Sequence, residues 1–134
     1  MSLGTEIVAK LVALGLGVSG TSLFIGLMPD TPNVCGTVYE YPGLEPVMGF
    51  GSPGIDFETP AIQVVFRGEP RDYATPRANA ESAYRGLAAV EATTLSGTFY
   101  HTITPRQAPF LMRRDENERV YIACNFLCEK ALSA

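Results

Sequence analysis

Ile7, Leu11, Leu14 and Val18 recur at the spacing of one helical face, which predicts a helix over residues 3–16. Glu6 precedes Lys10 by four residues, the favourable order for an ion pair along a helix, and Gly15 and Gly17 suit an ending there. The pattern then changes. Residues 22–28 are apolar and β-rich, Pro29-Asp30-Thr31-Pro32-Asn33 is turn chemistry, and residues 35–41 read as a second strand. The two strands are expected to pair as a hairpin with a long connection. No period survives across residues 42–60, where Gly43, Gly49, Gly51 and Gly54 alternate with Pro42, Pro46, Pro53 and Pro60. This stretch reads as a long loop that carries Leu44, Val47, Met48, Phe50, Ile55 and Phe57, an apolar set poorly suited to standing free in water.

Regular patterning returns at residues 61–68, with Ile62, Val64 and Phe66 on one side of a strand and Gln63, Val65 and Arg67 on the other. Asp72 or Thr75 caps a second helix that runs to about residue 89. Its apolar stripe is Pro76, Ala80, Ala83, Leu87 and Val90, and Arg77, Glu81 and Arg85 lie on its wet face. Thr98 to Thr104 alternates, after which Pro105 and Pro109 restrict the chain to a sheet edge or a bulge, and residues 110–113 resume. Asp115-Glu116-Asn117-Glu118 is a hairpin tip. Beyond it Val120, Ile122, Cys124, Phe126 and Cys128 share one side of a last strand, opposite Tyr121, Ala123, Asn125 and Leu127. The expected fold is α+β: a single domain over residues 1–134, a mostly antiparallel β-sheet with two α-helices packed on it.

With 134 residues and 46% hydrophobic content the chain can bury a real core. Only 18% of residues are charged, and there are 13 glycines and 10 prolines. A loop-rich chain short of charge favours burying surface against other subunits. The net charge is −4 and the densest bases, Arg113, Arg114 and Arg119, are interleaved with Asp115, Glu116 and Glu118. That is not the basic stripe phosphate binding needs, so neither sequence-specific nucleic-acid binding nor a polybasic membrane anchor is expected. Residues 11–28 are long enough to span a bilayer, but Gly15, Gly17, Gly20 and Gly26 interrupt them.

Candidate chemistry is sparse. Gly49-Phe50-Gly51-Ser52-Pro53-Gly54 matches GxGxxG, yet no helix is expected after it to meet a pyrophosphate. His101 is the sole histidine, and a Cys–His pair would need Cys124 or Cys128 beside it. The three cysteines lack a CxxC and read as buried, reduced thiols. No metal-ligand spacing occurs, so no catalytic residue, metal or cofactor is assigned.

Three segments carry a resemblance. Phe24-Ile25-Gly26-Leu27-Met28-Pro29-Asp30 leads into Tyr39-Glu40-Tyr41-Pro42-Gly43. Ile62-Gln63-Val64-Val65-Phe66-Arg67-Gly68-Glu69-Pro70 is followed by Asp72-Tyr73 and a helix ending Ala83-Tyr84-Arg85-Gly86-Leu87. The third runs from Phe110-Leu111 through Arg114-Asp115-Glu116-Asn117-Glu118-Arg119 to Asn125-Phe126. Together they resemble the minor capsid or tail-terminator proteins of long-tailed bacteriophages.

That resemblance implies a small structural subunit of the virion, assembled in the host cytoplasm. It implies a homo-oligomeric ring, usually a hexamer, on the head-proximal end of the tail. The ring caps the tail tube, ends its polymerisation and meets the head–tail connector protein; the net negative charge of each copy adds the expectation that DNA passes through the bore without specific binding. No enzymatic activity, cofactor or membrane partner is implied. Our own reading of the residues assigns Met48, Phe50, Ile55 and Phe57 as assembly contacts. It assigns Arg113, Arg114, Asp115 and Glu118 as charged docking points. The rival readings are a small enzyme or ligand-binding domain with a pocket under the Gly/Pro-rich loop, and another phage head–tail connector.

Overall fold

The computed structural model describes residues 2–49, 51 and 54–132. Along the chain run α1 (Leu3–Ala13), β1 (Leu23–Ile25), β2 (Cys35–Met48), β3 (Ile55–Pro70), α2 (Ala74–Ala88), β4 (Glu91–Leu95), β5 (Thr98–Pro105), β6 (Phe110–Arg114) and β7 (Arg119–Lys130). Among the described residues they build a seven-stranded sheet in the order β1-β2-β3-β7-β5-β4, with β6 also pairing with β7. Among the described residues the named strands pair antiparallel except β1 with β2. Both helices cover the same face, so the expected α+β arrangement is the one observed.

Each helix follows its sequence signals. Ser2 caps α1 by accepting the Thr5 N–H, and Leu3, Ile7, Val8 and Leu11 are buried. The helix ends at Ala13, three residues short of the expected bound, and Val18 lies outside it and exposed. Asp72 accepts the Thr75 N–H ahead of α2, and Pro76, Ala80, Ala83 and Leu87 form its buried stripe. Leu14, at the C-terminal cap of α1, lays its side chain over Gly86 of α2, where an added Cβ would push that side chain aside. Against this layer pack Val38, Ile62, Val64, Phe66, Val120, Ile122, Cys124, Phe126 and Cys128, the inward sets read from alternation. Each large side chain buried there stabilises the fold by roughly 1.5–3 kcal/mol.

Glu6 is buried in this same core. It accepts hydrogen bonds from the hydroxyls of Tyr100 (2.8 Å) and Thr98. Burial, then the bond and charge of Glu6, push the Tyr100 hydroxyl far above its ordinary pKa.

Two expectations are corrected. The first strand is only Leu23–Ile25 and runs parallel to β2, so residues 22–28 and 35–41 form no hairpin. The connection crosses the end of the sheet, and the Thr37 hydroxyl ties it down through the carbonyls of Phe24 (3.0 Å) and Leu27 (2.7 Å). The second correction concerns residues 42–60, which are largely strand, not loop. They extend β2 and β3 into a ribbon with Leu44 opposite Thr59, Val47 opposite Phe57 and Met48 opposite Ile55. Register shifts separate these pairs, which is why no period of two was visible. Gly43 allows the close approach, because any Cβ there would strike the Thr59 carbonyl.

The Pro105–Pro109 interruption behaves as expected of prolines at an edge. β5 pairs with the C-terminal half of β7 and β6 with its N-terminal half, along the same side. On the sheet face away from the helices, Val65, Tyr121 and Ala123 form a second, small cluster under Met28, Tyr39 and Phe110.

Candidate functional site

The β2–β3 ribbon divides the molecule into two ends. Its last link to the rest of the sheet is Glu58 opposite Lys130. There the Lys130 ammonium, only 1% exposed, lies 2.7 Å from Glu58 Oε1 and also donates to the Ala131 carbonyl. From this latch outward, with Leu44 opposite Thr59 at its base, the ribbon forms an arm, and beyond Glu58 its two strands pair only with each other. The arm shows solvent an apolar surface: Leu44 is 64% exposed, Met48 60%, and Val47 and Ile55 are exposed too. Phe57 is half-buried, its ring 5.3 Å from His101, which in turn meets Phe99 edge-on at 5.0 Å. Of the expected contacts, Met48, Ile55 and Phe57 therefore lie on one arm, and Phe50 lies outside the described residues.

At the other end the chain is cross-linked by arginine. The Arg67 guanidinium, 2% exposed, donates to the carbonyls of Asn33 (3.0 Å), Pro29 (2.6 Å) and Pro32 (2.7 Å). Arg119 reaches Asp115 Oδ2 and Asp30 Oδ1, both at 2.8 Å, and the Asp30 carbonyl at 2.7 Å. Asn33 donates to Glu69 at 2.7 Å. Residues 29–33 are thus pinned over the start of β2 and β7. The sequence does not mark either arginine as a cross-link. Arg67 fell in the less apolar alternation of its strand, and Arg119 in a run of mixed charge. The one available signal was the pair of prolines at 29 and 32, which cannot continue a regular ladder and so leave turn carbonyls for a side-chain donor.

The expected charged docking points separate in space. Arg113 and Arg114 are exposed on β6, with the Arg113 guanidinium 4.4 Å over the Tyr121 ring. Glu118 pairs with Arg71 at 2.6 Å, both largely in solvent. Asp115 is turned inward. Its carboxylate accepts the N–H groups of Asn117 and Arg119, the Arg119 Nε and the Tyr121 hydroxyl. Desolvation alone would raise its pKa, but these bonds prevail and hold it down to about 2. The sequence reading did not single out Leu111 and Met112, which are exposed beside the two arginines. Two adjacent apolar residues on a Pro-flanked strand were the signal.

The candidate catalytic pairings do not form. His101 contacts Phe57 and Phe99, while Cys124 Sγ donates to the Gln107 carbonyl at 3.1 Å. All three thiols are free and buried, and burial pushes Cys124 up to about 11 and Cys128 up to about 12. Gly49 to Gly54 joins two antiparallel strands, closed by a 2.8 Å bond from the Gly49 N–H to the Gly54 carbonyl, so no helix follows the glycines. A shallow cleft does lie along the arm, between residues 41–46 and 58–60, with Glu45 and Glu58 as its titratable acids. Among the described residues no group of His, Cys, Asp and Glu could hold a metal ion, and no helix is long and apolar enough to cross a membrane.

A family model described as bacteriophage tail terminator protein matches residues 10–131. No curated protein matches the chain. Among solved structures, a chain from the virion of a native gene transfer agent particle superposes with a TM-score of 0.64. The two chains are 15% identical, and the match covers 96% of this chain and 94% of that one, a likeness of fold.

Proposed function

From its membership of the bacteriophage tail terminator family, we propose that this chain is a structural virion component whose copies form a ring, six in number, on the head-proximal end of the tail tube. The ring occupies the growing end of the tube, so that no further tube subunit can add, and offers its outer surface to the head–tail connector protein. It transforms no molecule. It works in the tail of the virion, having assembled in the host cytoplasm.

The observation that carries this reading is the arm. A protein acting alone rarely leaves Leu44, Val47, Met48 and Ile55 together in water on a projecting ribbon. Burying such a surface against a neighbour is favourable at about 25 cal/mol per Å² of apolar area. The ion-paired end supplies the rigidity that holds an arm in a fixed direction. The excess of acids, at a net −4 per copy, supports passage of DNA without adhesion, since like charges in a bore repel phosphates.

Electron microscopy of tail tubes assembled with and without the protein tests this. Tubes should stop at a uniform length and carry a ring-shaped density at one end when the protein is present. An unchanged length distribution, with bare ends, would overturn the reading.

A further inference from the structure

We propose that the arm of one copy lies across β6 of the next copy, and that this head-to-tail contact is what closes the ring. The inference rests on the ring reading above and names the surfaces that meet.

Charge matches the two surfaces. Residues 41–59 contain Glu45, Asp56 and Glu58 and no base. Lys130 holds Glu58 at the base of the arm, which leaves Glu45 and Asp56 exposed farther out. The β6 strand contains Arg113 and Arg114, both exposed, and no acid. Apolar surface matches as well. Leu44, Val47, Met48 and Ile55 on the arm face Leu111 and Met112 on β6 in kind, and all six are exposed.

The two surfaces cannot meet within one molecule. β6 pairs with β7 from Val120 to Ala123, whereas the arm departs past Lys130. At about 3.4 Å per residue they stand roughly 25–35 Å apart along β7. Contact must therefore run between copies and join two different patches. That is a heterologous interface, the kind that generates a closed ring when its rotation closes.

The contact is made by side chains. Pro42 and Pro46 remove backbone donors from the arm, and the register shift between Leu111 and Arg113 breaks the β6 edge, so a continuous added strand is disfavoured. Packed Leu and Met with flanking ion pairs need neither.

A double variant, Met48→Cys with Leu111→Cys, tests the geometry on capped tail tubes under mild oxidation. The native thiols are buried and do not compete. The expected result is a ladder of homo-multimers ending at the ring number, with each single variant remaining monomeric on a non-reducing gel. Dimers from Met48→Cys alone would mean arms meet arms. Cross-links only to the tube protein, or no ladder although rings sit on the tubes, would mean the arm serves elsewhere. Each of these overturns the inference and leaves capping intact, while bare, uncapped tubes made with the wild-type protein would defeat the ring reading itself. Charge reversal gives an independent check. Arg113→Glu with Arg114→Glu should abolish rings, and adding Glu45→Arg and Asp56→Arg should restore them. Failure of that rescue, with all variants melting within a few degrees of wild type, also counts against the pairing.

Discussion

At the Cys35 and Pro70 end of the β2–β3 ribbon, two buried guanidinium groups pin residues 29–33 to the sheet with bonds of 2.6–3.0 Å. At the Met48 and Ile55 end the same two strands carry irregular register and exposed apolar side chains. The first end satisfies itself; the second is left for another molecule to satisfy. Two strands can serve both purposes because the Glu58–Lys130 latch marks where support from β7 stops. A rigid root and an unsatisfied tip are what a directed docking element requires, since a contact loses affinity when the segment making it must first be ordered.

The largest effect should come from breaking the root. Arg67→Met keeps an unbranched chain but strands the carbonyls of Pro29, Pro32 and Asn33 without their donor. Hydrogen bonds from a charged donor contribute about 1.5–3 kcal/mol each, and water can replace them in part because Pro29 and Asn33 are half-buried and Pro32 is exposed, so a loss of about 3 kcal/mol is expected. Melting temperature should fall by on the order of 10 °C, read by circular dichroism. A fall of only 1–2 °C would show that residues 29–33 hold their position by other means, and the contrast between the ends would collapse.

Acid attacks the same end through Asp115. Its folded-state pKa, about 2, lies below the ordinary 3.8. A carboxylate with a depressed pKa contributes stability that is fully present above the unfolded value. That stability drains away as pH falls from about 4 toward about 2. Urea midpoints measured at pH 7, 4, 3 and 2 should decline most steeply across the last two steps. Asp115→Asn should flatten that decline while lowering stability at pH 7. An undiminished slope in the variant would assign the acid sensitivity to other carboxylates.

How legible each region was follows from the range of its forces. The stripe Pro76, Ala80, Ala83, Leu87 and the alternation from Val120 to Cys128 are set by local burial, and both were readable. The arm was not, because its pairs are separated by register shifts and its glycines and prolines look like loop chemistry. The arginine root was not either. Arg67 lies 34–38 residues from the carbonyls it serves, and alternation assigns a residue to a face without saying what covers that face. The candidate contacts divide in the same way. Apolar residues in an aperiodic stretch group Met48, Ile55 and Phe57 in one segment, which is paired strand where a loop was expected. Adjacency in a charged run grouped Asp115 with Arg113 and Arg114, although its bonds turn it inward.

The smallest effect on folding should accompany the largest loss of assembly, and that pairing is the sharpest test of the contrast. Leu44, Met48 and Ile55 already face solvent, so Leu44→Ser, Met48→Ser and Ile55→Ser remove little that the isolated subunit buries. Exposed substitutions of this kind usually shift stability by within about 0.5 kcal/mol each. The triple variant should melt close to wild type, yet fail to cap tubes at matched concentration, because the apolar surface that a neighbour would cover is gone. Arg67→Met behaves in the opposite sense: it should lose stability first, and at temperatures where it remains folded its untouched arm should still dock. If the serine variant caps tubes as well as wild type, the arm is merely an extended ribbon and the exposed apolar set has no partner. If instead it unfolds like Arg67→Met, the arm belongs to the core of its own subunit, and the division into root and tip is wrong.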